Sequence, residues 1–147
     1  MGQITWSGDS ALLASASGDK TLKSWRVAER SLAAEIAMGS SVEAMQLGAV
    51  WLGKWLVSVE LSGALNQVDT SALLAQVQAA PGQPLRLEAA KAPLKAIRGH
   101  NKSLSALASW RAADGTRLVT AGNDGHVCMP RLCQLPRESS DFLVFSY

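Results

Sequence analysis

Residues 4–27, ITWSGDSALLASASGDKTLKSWRV, decide how this 147-residue chain is read. Two clusters of small polar residues, Gly8-Asp9-Ser10 and Gly18-Asp19-Lys20, cut the stretch into three short runs. Runs 4–7, 12–17 and 21–27 alternate in polarity, which predicts three strands joined by tight turns. Within them, Ser15, Asp19 and Trp25 form a chemically sensible set. A buried indole N–H needs an acceptor, and the Ser15 hydroxyl can accept it while donating onward. Asp19, in a turn, can take backbone N–H groups and fix the turn's geometry. These residues build a sheet; nothing in their types or spacing makes a reaction centre.

The length suits one domain, and 48% hydrophobic residues supply enough apolar surface for a core. A net charge of +2 without a basic run argues against a nucleic-acid partner. Cys128 and Cys133 have no companion His or Cys cluster, so reduced thiols are expected and a zinc site is not. No run approaches the roughly 18 apolar residues of a membrane span. The first residues lack a signal peptide's basic and apolar regions. Met1-Gly2 opens like a myristoylation signal, but Trp6 stands where that motif takes Ser or Thr. A soluble, intracellular protein is expected.

Further along, residues 31–38 can run as a fourth strand, closing a first unit at 1–38. A second unit over 39–98 places strands at 42–51, 55–60 and 64–69, with an outer strand at 93–98. Setting Ser58 on Ser15 puts Ser62 where Asp19 stood and Val68 where Trp25 stood, 43 positions on. Without those polar groups this unit is expected to rely on apolar packing alone. Residues 70–92, rich in Ala, Leu and Gln, break the pattern and read as an insertion. Ser71 there could cap a short helix through Gln78, but the segment as a whole is expected as a surface loop, partly disordered. A third unit, 99–132, begins at Gly99-His100, with strands at 104–110, 117–121 and 126–129. Its turns are Ala113-Asp114-Gly115 and Gly122-Asn123-Asp124-Gly125. Pro130 falls where the indole belongs, so this unit is expected to be incomplete and weakened at its third strand. Residues 133–147 read as a divergent tail, although 141–147 could form a strand.

His100 has three readings. As a general base it lacks a nucleophile in any hydrolase motif, and as a metal ligand it lacks companions. As a structural group bonded to Thr120 and Asp124 it is fully accounted for.

The string LLASASGDKTLKSW, and Gly99-His100 ahead of Thr120 and Asp124, resemble the signature of the WD-repeat family, and a 43-residue period suits its repeat of about 40–45. In that family a turn Asp, a strand Ser or Thr, a Trp and a His from the preceding loop form a buried tetrad. The resemblance implies tetrad positions at Ser15, Asp19, Trp25, His100, Thr120 and Asp124. It implies an all-β chain, a β-propeller fragment of about three four-stranded antiparallel blades. The order ASGDKTLKSW, MGSSVEAMQLGAVWL, LVSVELSGALNQVD, IRGHNKSLSAL, AGNDGHV is similar to the actin-interacting protein 1 family of WD-repeat proteins. That likeness implies binding of actin filaments and cofilin, promotion of filament disassembly, no catalysis and no cofactor. It makes the chain look like a central piece of a larger propeller. A general interaction scaffold and a non-functional propeller fragment stay open as alternatives. Open blade edges predict self-association.

Overall fold

The computed structural model describes residues 2–79, 82–113, 115–130 and 142–146. Asp114 of the expected turn, Pro81 of the insertion, and 131–141 with Cys133 lie outside the described residues. Among the described residues three sheets, antiparallel apart from one strand added later to the first, follow one another along the chain. The first is built in order from β1 (Gln3–Trp6), β2 (Leu12–Ala16), β3 (Thr21–Arg26) and β4 (Ser31–Ala37). Its turns form as their residues dictate: Asp9 Oδ1 accepts the Ala11 N–H at 3.0 Å, and Asp19 Oδ1 accepts the Thr21 N–H at 3.0 Å.

Register fixes the two faces of this sheet, because directly opposed residues point the same way. One row runs Thr5, Ala14, Ser24, Ala34 and the next Gln3, Ala16, Leu22, Ile36. This face is buried; Ala14, Ala16, Leu22, Ala34 and Ile36 are almost wholly covered. The opposite face carries Trp6, Leu13, Trp25 and Leu32 in one row and Ile4, Ser15, Lys23 and Glu35 in the other.

The middle sheet starts later than its apolar run suggests. Val42–Ala44 forms a 3-10 turn, and the first strand, β5, is Gln46–Leu52. Then come β6 (Trp55–Glu60) and β7 (Ala64–Asp69), and the fourth strand of this sheet is Leu94–Arg98. Ala49, Leu56 and Val68 join the first sheet's buried face in one core. Leu52, Val57, Val59 and Leu65 join Leu104 and Leu118 of the third sheet in another. Burial on both faces explains why WLVSVE reads as nearly continuous apolar sequence rather than a clean alternation.

Between β7 and that fourth strand the structure corrects the surface loop expected over 70–92. Helix α1 (Thr70–Ala79) starts beneath Asp69, whose Oδ1 accepts the N–H groups of Ser71 and Ala72. The cap is therefore Asp69, one of the sheet's own residues, and not Ser71. Leu73 and Val77 of α1 are buried in the first core. Strand β8 (Leu85–Glu88) then pairs in parallel with β4, adding a fifth strand to the first sheet, and the chain returns as β9 (Leu94–Arg98) beside β7. An insertion in the second unit thus seals the outer edge of the first.

The third sheet contains β10 (Leu104–Ala112), β11 (Gly115–Gly122), β12 (His126–Pro130) and β13 (Phe142–Ser146). The segment read as a divergent tail supplies β13, which pairs with β12 from His126↔Ser146 to Pro130↔Phe142. The unit that looked incomplete at residue 132 therefore has four strands. Among the described residues two pairs join β11 to β12, against five in β2–β3 and five in β6–β7. Pro130 is the last residue of β12.

Because α1 fills the core between the first two sheets, Leu73→Ala is expected to destabilise the full chain by about 2–4 kcal/mol, read as a lower urea midpoint. A change within about 0.5 kcal/mol, typical of an exposed surface position, would show that α1 is not packed there.

Candidate functional site

Polar side chains gather at the end of each sheet where its second and third strands turn, and the three gatherings differ. In the third sheet the ring of His100, 2% exposed, lies in the loop between β9 and β10. Its Nδ1 stands 3.0 Å from Asp124 Oδ1, and its Nε2 stands 2.9 Å from Thr120 Oγ1. An ionised carboxylate only accepts, so Nδ1 carries the proton shared with Asp124. Asp124 also accepts the N–H of Asn101 at 2.9 Å and that of His126 at 3.1 Å. Burial alone would raise this carboxyl, but the Asn101 N–H, the His100 ring and the His126 N–H outweigh it. The result is a group held well below the usual carboxylate range.

Two glycines give the network its room. A Cβ on Gly122 would sit 2.6 Å from Asp124 Oδ1 and closer still to His100 Nδ1. Gly63, at φ +88°, lets the middle sheet's turn pass against the His100 loop, where the His100 N–H donates to Gly63 O at 3.3 Å.

In the first sheet Trp25 Nε1 donates to Ser15 Oγ at 3.0 Å. Asp19 is engaged separately, accepting the Thr21 hydroxyl at 2.6 Å and facing Lys23 Nζ at 3.4 Å. Among the described residues no hydrogen bond joins these two pairs. The Thr21 hydroxyl is the main cause that lowers the Asp19 carboxyl to about 2; burial opposes it, and Ser17, the Thr21 N–H and Lys23 assist. The Asp19 side chain is 54% exposed, against 8% for Asp124. The difference has a plain cause: both histidines of the chain stand at Asp124, and neither covers Asp19.

The middle sheet does not rely on apolar packing alone. Ser58 Oγ donates to the buried Gln46 Oε1 at 2.7 Å, and Gln46 Nε2 donates to Ala44 O at 2.8 Å. Glu60 accepts from Asn66 Nδ2 at 2.7 Å and from Ser62 Oγ at 3.1 Å. Ser62 Oγ in turn accepts the Ala64 N–H at 3.2 Å, the turn-fixing contact that Thr21 makes to Asp19. Val68, at the indole's position, is fully buried. Gln46, Glu60 and Asn66 escaped the sequence reading because it matched positions against one pattern. Their signal was present: polar residues inside strands buried on both faces must find partners.

Both ring nitrogens of His100 are occupied by protein groups, and the ring is closed off from solvent. The Cys128 thiol is buried against Gly99 O, and burial followed by the Asp124 charge pushes its pKa up, away from the reactive thiolate. Among the described residues no three His, Cys, Asp or Glu side chains converge as a metal site. Among the described residues no helix is long and apolar enough to cross a membrane.

Two expectations follow. Thr120→Val strands His100 Nε2 in a dry site and should cost about 1–3 kcal/mol, whereas Ser15→Ala, beside a partly exposed indole, should cost about 0.5–1.5 kcal/mol. Urea melts of both variants test the order, and a larger loss for Ser15→Ala would contradict it. The second concerns acid. Asp124 titrates lower folded than its unfolded value of about 3.9. Its contribution is therefore present above that value and is lost as pH falls through the folded pKa. Stability should drop below about pH 4, with a shallower drop in Asp124→Asn; equal slopes in urea midpoints from about pH 6 to about pH 2.5 would refute this.

Comparison with known proteins supports the same architecture. The family model described as WD domain, G-beta repeat matches residues 2–26 and 91–129, and leaves β5, β6 and β7 of the middle sheet unmatched. WD repeat-containing protein 1 of Xenopus tropicalis is 36% identical over 124 residues, 84% of this chain and 18% of that protein. Actin-interacting protein 1 of Drosophila melanogaster is 32% identical over 124 residues, 84% of this chain and 17% of that protein. The chain thus spans under a fifth of the length of these curated relatives. The solved structure of U3-55K superposes with a TM-score of 0.66 at 20% identity, over 98% of this chain and 36% of that one, which speaks to the fold alone. Sequence signature, relatives and sheet architecture agree: the chain belongs to the WD-repeat family and forms three blades of a β-propeller.

Proposed function

We propose that this chain acts as a binding surface for actin filaments and, with cofilin, supports filament disassembly in the cytoplasmic actin cytoskeleton. The observation that carries this reading is the 32% identity to actin-interacting protein 1 over 124 residues, a span that includes the degenerate middle blade as well as the two regular ones. Likeness confined to the regular blades would mark only a WD repeat. Likeness through the irregular one points to a particular branch of the family. A WD-repeat propeller offers a scaffold with loops at its rims, and binding there needs shape and charge but no covalent step. In this reading Ser15, Asp19, Trp25, His100, Thr120 and Asp124 hold the blade turns in position and are neither catalytic nor partner-contacting. Several of them are spent on internal bonds, which leaves recognition to the residues around the turns.

Co-sedimentation of the full chain with actin filaments, bare and cofilin-decorated, tests the reading. The expected outcome is saturable pelleting that increases on decorated filaments, with faster filament loss when chain and cofilin are both present. A chain that is folded by circular dichroism yet stays in the supernatant with both kinds of filament would overturn it.

A further inference from the structure

The outer strand of a propeller blade shows its free edge at the rim, whichever blades stand on either side of it. In the middle sheet that strand is β9, and it carries Lys95 and Arg98, charges that discourage another strand from pairing. In the first sheet it is β4, SLAAEIA, with no lysine, arginine or proline, and β8 is laid along it. The hold on β8 is light. Its pairing runs only from Ala34↔Leu85 to Ala37↔Glu88, in the parallel sense, which is slightly weaker per residue than the antiparallel one. Pro84, which has no N–H, stands where the next pair toward Ser31 would form. Leu85 and Leu87 lie partly buried against the first core, while Gln83, Pro84, Arg86 and Glu88 are exposed. The ends of the insertion are fastened elsewhere, on the middle sheet. The Asp69 N–H donates to Pro93 O at 2.9 Å, and the Thr70 N–H donates to Lys54 O at 3.0 Å. Strand β9 is paired with β7 from Ala64↔Arg98 to Val68↔Leu94, and α1 has its own hold through Leu73 and Val77.

We propose that the outer edge of β4 is a strand-addition site for an extended segment of a partner protein, and that β8 occupies it in cis as an exchangeable internal ligand. Because both ends of the insertion are fastened independently, β8 leaves the edge without unseating α1 or β9. Its own sequence shows what the site accepts: aliphatic side chains at every second residue toward the core, as Leu85 and Leu87 are, with charged residues between them. Backbone bonds give such a contact its strength, and the alternate side chains give it selectivity. A partner segment with no proline at that point extends the pairing past Ala34 toward Ser31, and so gains bonds that β8 lacks. The cis strand sets the threshold for exchange. A short tether holds its segment at about millimolar effective concentration, so against an intrinsic Kd of about 0.1 mM it lowers the apparent affinity of an incoming peptide about tenfold. The site stands whether or not the chain binds actin filaments, since it is built from the first sheet's rim and the insertion alone.

The test uses the full chain and a fluorescent peptide of residues 82–91 carrying Pro84→Val. Leu85→Asp with Leu87→Asp in the chain releases β8 from the edge. Arg86→Pro, at an exposed position of the same strand, serves instead should the double variant lack a native circular dichroism spectrum. Fluorescence anisotropy is expected to show saturable binding to the released chain, about tenfold tighter than to wild type. The same peptide with the native Pro84 should bind the released chain more weakly. Amide hydrogen exchange should be faster over residues 31–37 in the released chain than in wild type, and slow again when the peptide is added. No binding to the released chain at about 2 mM peptide, above the effective concentration of the cis strand, would overturn the proposal. So would equal affinity for the released and wild-type chains, or binding that leaves exchange over residues 31–37 unchanged.

Discussion

Leu56 and Val68 point from one side of the middle sheet into the core shared with the first, while Val57 and Leu65 point from the other side into the core shared with the third. Everything else in the molecule is arranged around this two-sided burial. A four-stranded sheet has two faces, and each must be covered if it is apolar. The middle blade meets that condition entirely within the chain, and its flanking blades meet it on one side each. The same constraint explains α1 and β8. Strand β4 borders the first core and would end it with an open edge, so the chain between β7 and β9 detours outward to lay Leu73, Val77, Leu85 and Leu87 against that core.

The polar networks do a second job, at the ends of the sheets where apolar packing has no hold on the backbone. The three blades do it at three levels of enclosure. Asp124 is enclosed by His100, Asn101 and His126, and Thr120 ties the same ring to the strands. Asp19 fixes its turn through Thr21 but remains open to water. Gln46, Ser58, Glu60 and Asn66 reach a comparable result with uncharged amides and one carboxylate. Their chemistry differs, yet each set satisfies turn and strand groups that would otherwise be left unbonded. What the networks share is inward direction, and this separates them from a reactive site, where a base or nucleophile faces a space for substrate.

Much of this was legible in residue order. Turns at Gly8-Asp9-Ser10 and Gly18-Asp19-Lys20 are local events, driven by side-chain acceptors two residues from the N–H groups they bind, and local events are written locally. Spacing brought Ser15 near Trp25, since positions across adjacent strands follow from turn length, whereas His100, in the loop ahead of β10, was matched to Thr120 through the family resemblance. The degenerate blade shows where such reading stops. Gln46 and Ser58 meet across a β-bulged pair, and no pattern of spacing announces that a glutamine will replace other hydrogen-bonding groups.

By itself, then, the sequence determined the strands, their turns, their antiparallel order and the residues that bond within one sheet, because these depend on alternation, turn chemistry and short separations. Only the tertiary structure decided where the long separations lead. It placed β8 on a sheet that precedes it by some fifty residues, made β13 the fourth strand of the third sheet, and put Leu73 into a core. Four residues such as 85–88 carry too little pattern to name a partner strand. Their partner is set by which edge and which apolar face remain uncovered once the other sheets have packed, and that is a property of the assembled surface.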